Sequence, residues 1–264
     1  MILRPWTGQN KPPLGVLPMM GHRLTPDYAW LFGEGGGPLV NESVGGRTGM
    51  FDGTYPPVWT LTGEGPAISF AGNTRAHIDI SGITLAPPFT LAWRCKPAGT
   101  VSWKAILGSS SNNALWWLTG GQWQLYTNGL NAVTSVGTVP VDVPVSGAAV
   151  LPTTTSQQLF VNGLLSATDT DTWTGAWAPI YLGWDGGVGD NWNDWISWLY
   201  IYRRALTPTD VRDITAQPYC WLGTPDLAAM WAGIPAAGGH PGLRRLGIFD
   251  TGFGFDRSQQ TRWG

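Results

Sequence analysis

Three aspartates lie close together in the glycine-rich segment WDGGVGDNWNDW, which spans residues 184 to 195. Carboxylates and the carbonyl groups of a flexible loop are the ligands that a hard cation such as Ca²⁺ prefers. Asp185, Asp190 and Asp194 are therefore weak calcium candidates, although their spacing is not that of an EF-hand loop. Aspartate and asparagine are also the usual residues of tight turns, so the pattern favours a protein without a bound metal or cofactor.

Tryptophans are unusually frequent in the same segment and in the whole chain. The chain has 17 tryptophans against 7 tyrosines and 8 phenylalanines. An indole ring offers a large apolar face and one N–H donor, so it can pack in a core, stack on a sugar ring or anchor a protein contact. The segment thus predicts a ligand-binding site whose candidate residues are Trp184, Asp185, Asp190, Trp192 and Trp195.

The other chemically capable residues form no catalytic pattern. Glycosidases use two carboxylates placed across a sugar bond, and the chain has only three glutamates, all in loop-like early segments: Glu34, Glu42 and Glu64. The histidines are isolated and no G-x-S-x-G motif is present, so a nucleophilic triad has no support. His77 lies in the alternating segment HIDI, which favours an ordinary strand residue. We expect a protein that is not an enzyme.

Composition excludes several classes of partner. With 43% hydrophobic and 12% charged residues, the chain can bury a core. Its net charge is −2 and no block of Lys or Arg is longer than a pair, which excludes a nucleic-acid interface. Prolines interrupt the first twenty residues, and no run of about 18 apolar residues occurs, so we expect neither a signal peptide nor a membrane span.

Two cysteines, Cys95 and Cys220, lie far apart and outside any C-x-x-C pattern. Their number rules out a zinc site built on cysteines. Two unpaired buried thiols are favoured, because free cysteine is among the most buried residue types. A disulfide between them stays open as the alternative.

Short alternating segments rich in aromatic and β-branched residues predict an antiparallel β-sandwich or barrel over residues 27–221. Asn162-Gly163 follows the apolar run QLFV and predicts a type I′ hairpin turn, because both residues tolerate positive φ angles. The run WISWLYIY, residues 195–202, is apolar on both faces, which is typical of a central strand.

One short helix is predicted after that strand. Thr207 can cap its amino end, with Pro208 at the first position and Asp210 at the third, where a carboxylate is favourable. The helix should end near Gln217, because Pro218 follows.

The two ends of the chain differ from its middle. Residues 1–26 and 222–264 are broken by glycine and proline and show no sustained strand or helix period. We expect extended arms that become ordered against a neighbouring copy or another protein.

Several segments resemble the laminin-G-like, concanavalin A-like jelly rolls. They are GPAISFAGNTRAHIDI, APPFTLAWRCKP, QQLFVNGLL, IYLGWDGG and the closing WISWLYIYRRALTPTDVRDI. The resemblance implies a jelly-roll β-sandwich over residues 28–217. Family members often carry an acidic pair, as in G-x-I-D-D-V, where this chain has DWISW, and this departure weakens a calcium role.

The arm leading into YAWLFGEGGG and the segment AQPYCWLGTP are similar to tailed-phage virion proteins of this type. That likeness implies a non-enzymatic structural protein of a phage particle, as a capsid decoration or a tail or fibre component. It would be located in the virion and bind other virion proteins and copies of itself through its arms. The alternative is a carbohydrate-binding module or host-receptor adhesin that binds a surface glycan with the tryptophan-rich segment.

Overall fold

The structure is a computed structural model that describes residues 3–5, 17–18, 22–71, 75–99, 104–110, 113–118, 121–127, 130–173, 175–186 and 191–225. Most of the two predicted arms therefore lies outside the described residues. The described elements, in chain order, are β1 (Leu3–Pro5), β2 (Leu17–Pro18), β3 (Tyr28–Trp30), β4 (Leu39–Asn41), β5 (Thr48–Phe51), β6 (Val58–Thr62), β7 (Gly65–Ser69), β8 (Ile78–Asp79), β9 (Phe89–Cys95), β10 (Lys104–Ser110), β11 (Asn113–Leu118), β12 (Gln122–Thr127), β13 (Leu130–Thr134), β14 (Val145–Thr153), β15 (Ser156–Val161), β16 (Leu164–Asp169), β17 (Tyr181–Leu182), β18 (Trp195–Tyr202), α1 (Pro208–Ala216) and β19 (Leu222–Pro225).

Two large sheets form the sandwich. The front sheet has the strand order β13-β12-β11-β10-β17-β8-β5-β4. The back sheet has the order β16-β15-β14-β9-β18-β7-β6, and β3 pairs with β18 beside this path. Neighbouring strands run antiparallel, as in the pairing of β18 with β9 and of β14 with β9. The predicted antiparallel β-sandwich of jelly-roll type with one short helix is therefore confirmed.

The main core lies between the two sheets and follows from the alternation of side chains along each strand. In β9 the residues Phe89, Leu91 and Trp93 belong to this core, whereas Arg94, which follows Trp93, lies on the outer face. The front sheet contributes residues such as Leu107 and Leu125 from its inner face. Every second position of these strands is therefore available to the outer surfaces.

A β-bulge in β18 changes the faces expected from simple alternation. The register with β9 shifts between Ile196 and Trp198. As a result Ile196 joins Leu199 in the main core, although alternation places Ile196 on the same face as Trp198. A bulge inserts one unpaired residue, so all side chains beyond it exchange faces. All eight residues of β18 are buried, which confirms its central position.

A second core lies on the outer face of the back sheet, beneath α1. Val211 and Ile214 of the helix pack with Tyr200 and Phe160 of the sheet. The predicted helix boundaries are confirmed: Thr207 and Asp210 form a capping box, Pro208 begins the helix and Gln217 is its C-cap. The helix thus covers the outer face of the back sheet, so this face is buried and apolar instead of polar and exposed to solvent.

The predicted hairpin and the cysteines are also defined by the structure. Asn162 and Gly163 have φ angles of 48° and 79° between β15 and β16, as a type I′ turn requires. Cys95 is buried and Cys220 is half-buried, and both are free thiols. The alternative of a disulfide is therefore not what the structure shows.

A small three-stranded sheet, the terminal sheet, joins the two ends of the described chain. Its order is β1-β19-β2, with Leu3 opposite Pro225 and Leu17 opposite Gly223. Parts of both predicted arms thus pair with each other. Within the described ranges, no helix is long and apolar enough to cross a bilayer.

Candidate ligand-binding pocket

A row of outward-facing residues crosses the front sheet at β5, β8, β17 and β10. The strand registers place Met50 opposite Asp79, Asp79 opposite Tyr181, and Tyr181 opposite Gly108. Their strand neighbours Ile78 and Leu182 lie in the main core. Because side chains alternate, Asp79 and Tyr181 must project from the outer face of the sheet.

A cavity of about 370 Å³ opens beside this row. Its lining combines aromatic, acidic and basic side chains, namely Asp52, Thr54, Tyr55, Arg75, His77, Asp79, Tyr181 and Trp184. A concave site with apolar walls and a few convergent polar groups is the usual form of a small-molecule site. We call this cavity the front pocket.

Asp52 shapes one wall of the front pocket. Its Oδ1 accepts hydrogen bonds from the backbone N–H groups of Thr54 (3.0 Å) and Tyr55 (2.5 Å). This Asx-type turn follows directly after β5 and fixes the loop that carries Tyr55. The second carboxylate oxygen, Oδ2, remains directed towards His77, at 3.8 Å from its Nε2.

His77 lies at the centre of the polar groups. Its Nδ1 is 2.7 Å from the carbonyl oxygen of Arg75, and since a carbonyl only accepts, Nδ1 carries a proton and donates it. Nε2 then faces Asp52 Oδ2 at 3.8 Å and Asp79 Oδ1 at 3.7 Å. Both distances exceed that of a direct hydrogen bond, so the two carboxylates and His77 Nε2 converge without bonding directly to one another.

Three rings form an aromatic cluster around the same point. The His77 ring centroid lies 4.9 Å from that of Tyr181, in an edge-to-face arrangement, and 4.7 Å from that of Trp184. Tyr181 and Trp184 are themselves 4.9 Å apart. Both are half-buried, so each ring is held by its neighbours while part of it stays accessible. Tyr55 adds a fourth ring, with the Arg75 guanidinium 5.9 Å from its centroid.

Two glycines allow Trp184 to reach this position. Gly183 has a φ of +86°, and a Cβ atom there would lie only 2.2 Å from the ring of Phe70. Gly108 lies directly beneath the backbone of Trp184 and Asp185. A Cβ atom on Gly108 would come within 2.4 Å of Asp185 Cα and 2.6 Å of the Trp184 carbonyl oxygen. The segment carrying Trp184 therefore crosses directly over the front sheet, which only glycine at position 108 permits.

Among the predicted residues of the tryptophan-rich segment that the structure describes, only Trp184 lines the front pocket. Trp192 is 1% exposed and stacks on Trp123, with ring centroids 5.7 Å apart, so it belongs to the core and cannot offer a face to a ligand. Trp195 is 9% exposed and begins β18. Burial thus corrects the interpretation of Trp192 and Trp195 as a stacking platform.

The two predicted aspartates that the structure describes have different surroundings. Asp185 is fully buried, Asp194 pairs with Lys96 at 2.9 Å, and Asp190 lies outside the described residues. In the described part of the chain, no three His, Cys, Asp or Glu side chains form a group suited to a metal ion. The weak calcium interpretation therefore gains no support from the structure.

The glutamates serve structural roles. Glu42 is buried and accepts hydrogen bonds from the backbone of Ala29 and Val44, at 2.7 and 2.8 Å. Glu64 pairs with Arg94 in a second cavity, on the outer face of the back sheet. Because these opposite charges neutralise each other and Trp198 beside them is fully buried, that cavity offers fewer free groups than the front pocket.

Sequence reasoning missed most of the front pocket. Its residues come from three separate segments, around positions 52–55, 75–79 and 181–184, which strand pairing alone brings together. One signal was present: the alternation in HIDI places His77 and Asp79 on one face of a strand. That pattern was interpreted as ordinary strand structure and His77 was given no role.

The sandwich of two antiparallel sheets, with a capped helix after its last long strand, defines a jelly roll of the laminin-G type. The chain belongs to the concanavalin A-like lectin/glucanases superfamily, whose family profile matches residues 71–212. Among curated proteins, no sequence matches the chain. The family match includes His77, Asp79, Tyr181 and Trp184 but not the loop around Asp52.

Solved structures show the same fold at low sequence identity. Domain 4 of the extracellular arabinanase AbnA from Geobacillus stearothermophilus, in complex with arabinotriose, is 18% identical with a TM-score of 0.59, and the match covers 76% of this chain and 99% of that domain. Trypanosoma rangeli sialidase in complex with the inhibitor DANA is 14% identical with a TM-score of 0.54, covering 72% of this chain and 32% of the sialidase. This chain thus corresponds to about a third of the sialidase.

Proposed function

We propose that this protein binds carbohydrate in the front pocket. The observation that carries the proposal is the joint placement of Tyr181, Trp184 and His77 beside two carboxylates, Asp52 and Asp79. A sugar ring has C–H faces that pack on aromatic rings, and hydroxyl groups that donate to carboxylates. Both kinds of partner meet here within one cavity.

The arrangement suits a polyhydroxylated ligand better than a simple apolar or anionic one. Asp52 and Asp79 would repel an anion, whereas the guanidinium of Arg75 lies in the same lining, so the lining carries both signs of charge. A ligand with several neutral hydroxyl groups can donate to the carboxylates and accept from the guanidinium of Arg75 at once. The half-buried rings supply the apolar contact.

Glycan-array binding followed by calorimetry with the best glycan tests the proposal. The arabino-oligosaccharides are natural first ligands, because the similar domain from Geobacillus stearothermophilus is in complex with arabinotriose. Asp79→Asn keeps the shape of the side chain but removes its charge, and we expect about a tenfold or greater loss of affinity, since hydrogen bonds to charged groups contribute about 1.5–3 kcal/mol. Trp184→Ala should weaken binding similarly by removing a stacking surface.

Tyr126→Ala is the matched control for Tyr181→Ala. Tyr126 is also half-buried and lies in the front sheet, on β12, but it does not line the front pocket. Binding should survive Tyr126→Ala and fail in Tyr181→Ala, with unchanged far-UV circular dichroism in both. Absence of glycan binding by the unaltered protein, or equal affinities in all variants, would exclude this site.

Glycoside hydrolysis is a second candidate, because two carboxylates converge. Asp52 and Asp79 each have an oxygen within 3.8 Å of the same His77 Nε2, so the two carboxylates lie close enough together to flank one glycosidic bond. Asp52, however, already uses Oδ1 to hold the backbone of Thr54 and Tyr55, which suits a positioning role. We therefore retain a non-catalytic function as the proposal.

An assay for new reducing ends decides between binding and hydrolysis. The protein is incubated with each glycan that it binds, and with Asp52→Asn and Asp79→Asn as controls. We expect no cleavage by any of the three. Cleavage that both substitutions abolish would make the protein an enzyme.

The virion role rests on sequence resemblance, and we propose it as the setting in which a glycan-binding sandwich would act. A component of the particle that binds a surface glycan would have both roles predicted above, that of a structural protein and that of an adhesin. The predicted partners are other virion proteins and copies of itself, through residues 1–26 and 222–264. Mass spectrometry of purified particles tests it, and absence of the chain from all particles would contradict the assignment.

A further inference from the structure

One edge of the back sheet lacks the features that usually prevent an edge strand from pairing with a strand of another chain. Strand β6 ends the sheet, and within the described residues it pairs only with β7. Its sequence, VWTLT, has no charged residue and no proline, and its register with β7 is uninterrupted over all five residues. Natural proteins normally place charges, prolines or bulges on such an edge. Val58 and Leu61 are instead 60% and 81% exposed.

Two other sheet edges carry features that β6 lacks. At β16, the opposite edge of the back sheet, the hydroxyl of Ser166 bonds to both the N–H and the carbonyl of Val136, at 3.0 and 3.2 Å, and the strand is bulged against β15. At β4, an edge of the front sheet, Glu34 accepts the backbone N–H of Asn41 at 2.6 Å.

The register shows which backbone groups of β6 are open. Leu61 lies opposite Pro66, which has no N–H, so this pair is a non-hydrogen-bonded pair of the ladder. Bonded and non-bonded pairs alternate, so Val58, Thr60 and Thr62 bond to β7. The N–H and carbonyl groups of Trp59 and Leu61 consequently point away from β7, towards the open edge.

We propose that β6 pairs antiparallel with β6 of a second copy of this chain, around a two-fold axis through Thr60. Trp59 of each copy then lies opposite Leu61 of the other, and the two pairs can exchange four backbone hydrogen bonds. The exposed Leu61 side chain packs beside the other copy's Trp59, on the same face of the joined sheet. No charged side chain of β6 opposes this contact.

The symmetry of the strand is the reason that a second copy is the occupant. The two residues with open backbone groups are placed evenly about Thr60, so the edge is complementary to itself, as a two-fold interface requires. A five-residue strand buries less than the roughly 1,200 Å² of a stable interface. The dimer is therefore weak and depends on protein concentration.

Sedimentation velocity over a range of concentrations tests the dimer. Leu61→Pro removes an N–H that points outward and leaves the ladder with β7 intact, and Leu61→Lys places a charge at the edge. Both variants should stay monomeric where the unaltered protein dimerises. Leu164→Lys is the control, because Leu164 is 70% exposed on β16, the other edge of the same sheet, and this variant should dimerise normally.

Disulfide trapping tests the predicted register directly. In the proposed dimer, Thr60 faces Thr60 of the other copy in a non-hydrogen-bonded pair, with Cα atoms about 4.5 Å apart, which a disulfide can bridge. In a Cys220→Ser background, Thr60→Cys should form a crosslinked dimer under mild oxidation. Val58→Cys should not, because its two copies would be separated by about 13 Å.

Three results would overturn the proposal. They are a monomer at every concentration, dimers that persist in both Leu61 variants, and equal crosslinking of Thr60→Cys and Val58→Cys. Circular dichroism and thermal melting of each variant separate loss of the dimer from loss of the fold. If only Leu61→Pro misfolds, Leu61→Lys and the cysteine pair still decide.

Discussion

Trp93 connects the two sheets within the main core. It is fully buried in β9, and its ring meets Trp123 of the front sheet edge-to-face, with centroids 5.3 Å apart. Gly147 on the neighbouring strand leaves room for it, since a Cβ there would lie 2.2 Å from the indole. The two sheets thus contact each other through a pair of rings, and Gly147 leaves the space that the Trp93 ring occupies.

Replacing Trp93 with Ala should lower the free energy of unfolding by about 3–5 kcal/mol, because the change removes buried surface and leaves a cavity. Urea denaturation followed by fluorescence measures the loss. Trp93→Phe keeps a ring in the same space and should cost less. A loss below about 1 kcal/mol for Trp93→Ala would show that the strand is misplaced.

At this scale the sequence distinguished poorly between core and site tryptophans. Trp184 and Trp192 lie eight positions apart in the same glycine- and aspartate-rich segment, yet Trp184 lines the front pocket and Trp192 packs on Trp123. Nothing local separates them, because the difference comes from pairing with residues that are distant in sequence. Burial decides the role of an indole, and burial is a property of the fold.

Single elements were predicted well where local chemistry defines them. The hairpin at Asn162-Gly163 and the limits of α1 follow from turn and cap residues alone, and both are confirmed. The bulge in β18 was not predicted, because apolar residues on both faces leave the register without a sequence marker. The front pocket was missed for a related reason: it is assembled across β8, β17 and the loop after β5.

The capping box of α1 gives a prediction at the scale of this element. Thr207 accepts the N–H of Asp210 at 3.2 Å, and Asp210 accepts the N–H of Thr207 at 3.1 Å. Thr207→Ala should reduce the free energy of unfolding by about 1 kcal/mol, as loss of an N-cap does elsewhere. Thr209→Ala, at an exposed helical position outside the box, is the control and should change stability little. Equal effects of the two substitutions would mean that the box does not stabilise the helix.

Alkaline pH should destabilise the whole molecule. Burial raises the pKa of Cys220 from its ordinary 9.0 to about 11, and burial raises the pKa of the Tyr200 and Tyr202 hydroxyls well above 10.0. Between pH 9 and 11 the unfolded chain loses protons that the folded state keeps, so the free energy of unfolding falls as pH rises. Denaturation at several pH values measures the slope.

The substitution Cys220→Ser isolates the contribution of the Cys220 thiol to this loss of stability at alkaline pH. The variant should lose less stability between pH 9 and 11 than the unaltered protein, whereas the contribution from the two tyrosines should persist above pH 10. Identical slopes for the two proteins would contradict the assignment to Cys220.

Truncation tests where the folded unit ends. Leu222 is 1% exposed in the core beneath α1, and β19 ends at Pro225. Deleting residues 226–264 should therefore leave the thermal midpoint almost unchanged, whereas deleting 222–264 should lower it by several degrees. Unfolding of the shorter deletion would show that residues beyond 225 stabilise the sandwich. If the arm serves assembly, both deletions should also impair binding to other copies or virion proteins.

The terminal sheet determines how mechanical load would enter this molecule. Since Leu3 lies opposite Pro225 in an antiparallel pair, the flanks that precede and follow it leave from the same end of that pair. A force pulling the two flanks apart would break the backbone bonds of β1 and β19 one after another, as in opening a zipper. Bonds that are loaded one at a time open at lower force than bonds that are loaded together, so the terminal sheet would open before the sandwich that carries the front pocket.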